Sequence, residues 1–178
     1  EFKYEDNFNP NYSGLFSIEK DKSYANKNTN ENLINFRIEQ DTEKAFAKPG
    51  EKNKEIMKLK FKTGKGKFNF DSIKFKTHGI ESKFIDNLYL YNNGEIISEG
   101  KRNGEYFMFK SIGFKLDPMQ GDEIIVKANF SNKLMANNRL RLDIEKPQDL
   151  GLRVSNKGYE VNEYYPIKGK YLTIISKD

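Results

Sequence analysis

From Leu33 onward, apolar and polar residues alternate in short runs. LINFRIE places Ile34, Phe36 and Ile38 on one face, and EIMKLKFKT places Met57, Leu59 and Phe61 opposite Lys58, Lys60 and Lys62. Successive strand side chains point to opposite faces, so this period of two predicts half-buried β-strands. KFNFDSIKFKT continues the device, with Phe68 and Phe70, then Ile73 and Phe75. The parity slips between them, which predicts a bulge or turn near Asp71-Ser72. NLYLYNN gives Leu88 and Leu90; EYFMFKSIGFKL gives Phe107 and Phe109, then Ile112, Phe114 and Leu116. DEIIVKANF, NRLRLDIEK, LGLRV and KYLTIIS complete the series. Turn signals separate the runs, among them Asn93-Gly94 and Asn103-Gly104, because Asn and Gly tolerate the positive φ of tight hairpins. The stretch Ser131–Arg139 reads as a long loop between two strands. Short strands at this spacing predict an antiparallel sandwich or barrel. No long helical crossover separates them, as a parallel sheet would require.

Residues 1–32 follow another pattern. EFKYEDNFNPNYSG scatters aromatics among Asn, Pro and Gly, and KDKSYANKNTNEN is a polar loop. Residues 1–13 are expected to be an N-terminal extended arm or linker, with Leu15–Glu19 a first strand and 14–178 the sandwich. The chain opens Glu1-Phe2-Lys3 without an initiator Met, as expected of a processed or trimmed product.

Two strand phrases, IDNLYLYNNGEII (Ile85 to Ile97) and FKLDPMQGDEIIVKANF (Phe114 through Gly121 to Phe130), carry a resemblance. They resemble the secreted immunoglobulin-like β-sandwich modules of bacterial cell-surface proteins, particularly those of candidate-phyla bacteria. The likeness covers roughly Leu15 to Val154, and all its motifs are structural. It implies an all-β, immunoglobulin-like antiparallel sandwich, an extracellular or cell-surface location, and a role in adhesion, assembly or spacing. It carries over no catalytic residue.

Composition refines this. Fourteen Phe and ten Tyr argue for a packed core, since disordered chains are poor in aromatics. Cysteine is absent, which excludes disulfides, thiolate metal sites and cysteine nucleophiles. The charge of +5 comes from 31 basic and 26 acidic residues spread along the chain. That spread is expected of an AT-rich genome's Lys usage rather than of a nucleic-acid footprint, and no nucleic-acid partner is expected. No apolar stretch approaches the ~20 residues that span a membrane.

Few residues invite chemistry. The one histidine, His78, precedes Gly79 at a strand end and reads as a turn residue. Catalysis would need it placed between a nucleophile and a carboxylate. Asp143 and Glu145 share the outward face of their strand with Arg139 and Arg141 and read as a solvated charge ladder. LDPMQGDE (Asp117, Asp122, Glu123) lacks the dense spacing of an EF-hand loop, so no cofactor is expected; calcium is the one ion its oxygens admit. Lys58, Lys60, Lys62, Lys65, Lys67, Lys74 and Lys76 read as a soluble lysine face that also deters edge pairing.

The aromatics opposite the core are the positive lead. Tyr89 and Tyr91 lie on the face opposite Leu88 and Leu90, and Tyr164 and Tyr165 cluster near the C-terminus. Tyrosines outside a core anchor protein interfaces or stack on sugars. They also pack under loops, and the arm's Phe2, Tyr4, Phe8 and Tyr12 need cover of their own, in cis or on a neighbouring subunit. The expected function is therefore non-enzymatic. It is a secreted or cell-surface structural or adhesive module, working through a protein partner or self-assembly. A carbohydrate-binding accessory domain, with a glycan on the sheet-face tyrosines, is the alternative.

Overall fold

The computed structural model describes residues 33–41, 45–154 and 160–176. All belong to the compact unit Glu31–Asp178. The expectations for residues 1–32, including the arm and the Leu15–Glu19 strand, lie outside the described residues.

The described chain forms fifteen strands: β1 (Leu33–Glu39), β2 (Phe46–Ala47), β3 (Lys54–Thr63), β4 (Phe68–His78), β5 (Ile85–Asn92), β6 (Glu95–Glu99), β7 (Lys101–Asn103), β8 (Tyr106–Phe109), β9 (Phe114–Leu116), β10 (Gly121–Phe130), β11 (Arg139–Ile144), β12 (Leu150–Val154), β13 (Glu160–Val161), β14 (Ile167–Lys168) and β15 (Leu172–Ile174). One sheet runs β13-β1-β3-β10-β5-β6. The other runs β2-β15-β11-β4-β8-β7, with β9 and β12 also on β4 and β14 on β11. Apart from β13 on β1 and β2 on β15, every named strand pair is antiparallel. The protein is an antiparallel β-sandwich.

The alternation read from the sequence is the burial pattern of the strands. Phe61, Leu59 and Met57 of β3 are buried, and so are Leu88 and Leu90 of β5 and Phe107 and Phe109 of β8. Phenylalanines bridge the sheets. The Phe61 ring lies 4.9 Å from Phe36 in its own sheet and 5.1 Å from Phe70 in the other. Phe75 meets Phe109 edge-on at 6.1 Å. Such offset and edge contacts add to plain area burial.

The central strand of the second sheet, β4, explains the parity slip. Its first half pairs with β12 and β9, its second half with β11 and β8. The register on β12 shifts at Gly151/Leu152, opposite Ser72 and Phe70, where the sequence predicts a bulge.

The two Asn-Gly turns close hairpins, each by its own backbone route. Asn93 and Gly94 both have positive φ (49° and 86°), as a type I′ turn needs. At the second turn Gly104 alone is positive, at 58°. Between the turns the strand changes sheets. Residues 95–99 pair with β5, and residues 101–103 pair with β8. Gly100 is the corner: a Cβ there would sit 2.6 Å from Cζ of buried Phe109. The loop at 131–138 links β10 to β11 as expected, without a helix.

Candidate functional site

The outer face of the first sheet carries Tyr89 and Tyr91. Leu88 and Leu90 fill the core, so the alternating tyrosines face outward, half-buried. Register fixes their neighbours. Tyr91 stands opposite Ile125 of β10 on one side and Ile96 of β6 on the other. Ile125 in turn faces Lys58, which faces Glu39. One row across five strands therefore reads Glu39, Lys58, Ile125, Tyr91, Ile96. Ile96, at the sheet edge, is 54% exposed.

The next row reads Glu55, Lys127, Tyr89, Glu99. The two tyrosine rings meet edge to face at 6.4 Å and 79°. Lys127 Nζ sits 4.4 Å from the Tyr91 ring centroid, an electrostatic contact with the ring face. The Tyr91 hydroxyl donates to Asn53 Oδ1 at 3.4 Å. Burial pushes the Tyr89 hydroxyl's pKa up, and the Glu99 carboxylate adds to it. A polar rim follows: Asn129 donates to Asn87, Asn87 donates to Glu99, and Lys52 pairs with Asp86 at 2.9 Å. At the charged end of the first row, Lys58 pairs with Glu123 at 2.9 Å and Glu39 with Lys60 at 2.8 Å. The Glu123 hydrogen bond raises the Lys58 pKa. The result is a small apolar and aromatic strip bordered by satisfied charges. Among the described residues, β6 has no strand on its outer edge.

Ile96, Ile125 and Lys127 join the tyrosines although the sequence reading did not single them out. A signal was present. In DEIIVKANF, Ile125 sits between inward Ile124 and Val126, so its parity points it outward.

Tyr164 and Tyr165 lie elsewhere. They fall between β13, at the opposite edge of the first sheet, and β14 of the second sheet. Four strand spacings, about 19 Å, separate β13 from β5. Tyr164 is 94% exposed, whereas Tyr165 packs against the core. The four tyrosines do not form one site.

The lysines also divide. Lys58, Lys60 and Lys62 lie on β3 and Lys74 and Lys76 on β4, so they face out from opposite sheets. On the second sheet, Lys74 pairs with buried Asp149 at 2.9 Å and lies 4.5 Å from the Tyr106 ring centroid. Glu145 accepts from Lys76 and from the Tyr106 hydroxyl, both at 2.8 Å. These bonds, the lysine's first, hold the Glu145 carboxyl below its ordinary range. The same carboxylate raises Lys76 and Tyr106.

Asp143 corrects the charge-ladder expectation. It is 2% exposed, not solvated. Arg141 donates from Nε to Oδ1 at 2.9 Å and from Nη2 to Oδ2 at 2.8 Å. The Gly169 N–H donates to Oδ1 at 3.1 Å, and His78 Nε2 lies 3.2 Å from Oδ2. The edge strand β14 brings Gly169 over the carboxylate, which parity alone does not show. His78 is thereby a member of a structural cluster at the end of β4.

Where the loop 117–120 enters β10, Asp122 Oδ2 accepts from the Asp117 N–H at 2.8 Å, and Glu123 turns to the β3 lysines. Burial raises the Asp122 carboxyl's pKa. Among the described residues, no three His, Cys, Asp or Glu side chains gather as a metal-holding group. No helix among them is long and apolar enough to cross a membrane.

No family model matches the chain, and no curated protein matches it. Among solved structures, it is similar to a family 123 glycoside hydrolase from Clostridium perfringens, studied for glycolipid glycan hydrolysis. The identity is 10% and the TM-score 0.39, over 81% of this chain and 28% of that one. The chain thus spans less than a third of that enzyme's length.

Proposed function

We propose that this protein is a non-enzymatic structural or adhesive module of the bacterial cell surface, acting through protein–protein contacts on the outer face of its first sheet. The observation that carries the reading is the Ile125–Tyr91–Ile96 row beside Tyr89. Tyrosine beside aliphatic side chains, bordered by charged and amide side chains, is the make-up of an interface centre with a polar rim. The outer edge of β6, unpaired among the described residues, lies next to it and offers backbone groups to an added strand.

Strand order supports an immunoglobulin-like assignment. The orders β1-β3-β10-β5 and β4-β11-β15 follow the ABED and CFG sheets of that plan, with β6 to β9 inserted between its fourth and fifth strands. The phrases at Ile85–Ile97 and Phe114–Phe130, which resemble secreted surface modules, support the location. For Asp143 and Glu145, the internal bonds just described support a structural role.

The carbohydrate-binding alternative draws on the half-exposed tyrosines and the Asn87, Asn129 and Glu99 rim. Two features favour protein over sugar. The rings stand edge to face rather than as a flat platform, and Lys127 already lies over Tyr91.

Self-association measured by sedimentation equilibrium tests the reading. The chain should associate with rising concentration, and Tyr91→Ala with Ile96→Glu should weaken that at least tenfold. Association that is unchanged in the double variant, or absent altogether, contradicts self-assembly through this face. Retention on a glycan array that is lost with Tyr89→Ala would select the sugar alternative instead.

A further inference from the structure

The outer face of the second sheet holds charge that its internal network does not use. On β11 the inward residues are Leu140, Leu142 and Ile144, so Arg139, Arg141 and Asp143 project outward. Across the β11–β14 pair, Lys168 stands opposite Asp143. Arg139 and Arg141 both pack on the ring of Tyr171, with guanidinium carbons 4.4 and 4.9 Å from its centroid. Two like charges two residues apart on one strand face, about 7 Å, repel. Asp143 neutralises Arg141 through two bonds and leaves none for Arg139. Among the described residues, neither Arg139 nor Lys168 has a carboxylate within ion-pair distance. The neighbouring acids are taken: Glu145 by Lys76, Asp149 by Lys74.

We infer that this face binds an acidic polysaccharide, with Arg139 and Lys168 as the two ends of the contact. Four residues of strand separate Arg139 from the position opposite Lys168, about 13 Å. A single anion reaches one cation; a chain carrying repeated carboxylates or sulfates reaches both and gains from the linkage. Arg139 is held against Tyr171 with its N–H donors uncommitted, the fork that suits carboxylate and sulfate oxygens. Nucleic acid fits less well. Base stacking needs open ring faces, and both tyrosines here, Tyr106 and Tyr171, already hold cations against theirs. This face lies across the sandwich from the tyrosine strip, so the inference stands apart from the proposed function.

Binding to heparin and to polygalacturonate, measured in low salt and in high salt, tests it. Arg139→Glu with Lys168→Glu should weaken both by about a hundredfold, about tenfold per charged contact. Lys62→Glu with Lys65→Glu changes the net charge equally but lies elsewhere, and should change binding less than about threefold. Monomeric galacturonate should fail to compete. Equal losses in the two double variants would reduce the effect to overall charge and overturn the inference, as would no loss in either. Tighter binding to polyuridylate, lost with the same pair, would overturn it in favour of nucleic acid. If charge reversal impairs folding by circular dichroism, Arg139→Gln with Lys168→Gln gives the same readout with a milder change.

Discussion

Asp143→Ala removes the acceptor at the centre of the β4–β11–β14 junction. The Gly169 N–H keeps a partner, because it also donates to the Leu142 carbonyl at 3.1 Å. His78 retains access to water. The main loss falls on Arg141, whose side chain is only 19% exposed and gives two donors to this carboxylate. Removing one partner of a buried ion pair costs about 3–5 kcal/mol. Arg141 regains some water, so the lower end, about 3 kcal/mol, is expected. In urea, with a slope of about 2 kcal/mol/M, that lowers the midpoint by about 1.5 M at unchanged slope. Asp143→Asn keeps the shape and one acceptor, and should cost roughly half as much. A double-mutant cycle with Arg141→Ala should show coupling of at least about 1.5 kcal/mol, as groups in one network do. A midpoint shift below about 0.3 M, or additive single variants, would refute the claim that this cluster ties β14 and β4 to β11.

Further consequences concern the corner and the carboxyls. Gly100→Ala drives a methyl into Phe109 and should destabilise by about 1–3 kcal/mol in urea, the usual cost of overpacking; a neutral substitution would deny the tight corner. The Glu145 carboxyl is held low by Lys76 and Tyr106. Its contribution is therefore present above the ordinary glutamate pKa and lost as pH falls through the lower folded value. Glu145→Gln should flatten the stability–pH curve in that acid window, and an unchanged slope would count against the pairing. Asp122 has the opposite sign. Burial raises its folded pKa, so stability falls as pH rises from the ordinary aspartate value to the folded one. Asp122→Asn still accepts from the Asp117 N–H, and should be more stable than the wild type near neutrality, with the gain vanishing in acid.

Much of the scaffold was readable from parity, because burial on one face imposes a period of two. Phe36, Phe61, Leu88, Leu90, Phe107 and Phe109 are core for that reason, and the slip at Asp71-Ser72 marked a real change of pairing. The outward direction of Tyr89 and Tyr91 followed from the same rule. Parity does not say which sheet a strand joins. The lysines of β3 and β4 therefore looked like one face and lie on two. Nor does it register what a distant edge strand covers, which is why Asp143 read as solvated until β14 placed Gly169 over it. The corner at Gly100 was hidden because the residues between the two Asn-Gly turns serve both sheets in turn. Tyr164 and Tyr165 shared only a residue type with Tyr89 and Tyr91; they follow β13, which strand order sets four strands from β5.

Hydrogen–deuterium exchange at low and high protein concentration tests the interface most directly. If the Tyr91–Ile96 strip and the β6 edge form the contact, amides of Glu95–Glu99 should slow on association while those of β14 and β15 stay unchanged. Protection confined to β14 and β15, with residues 95–99 exchanging as fast as in the monomer, would contradict the account.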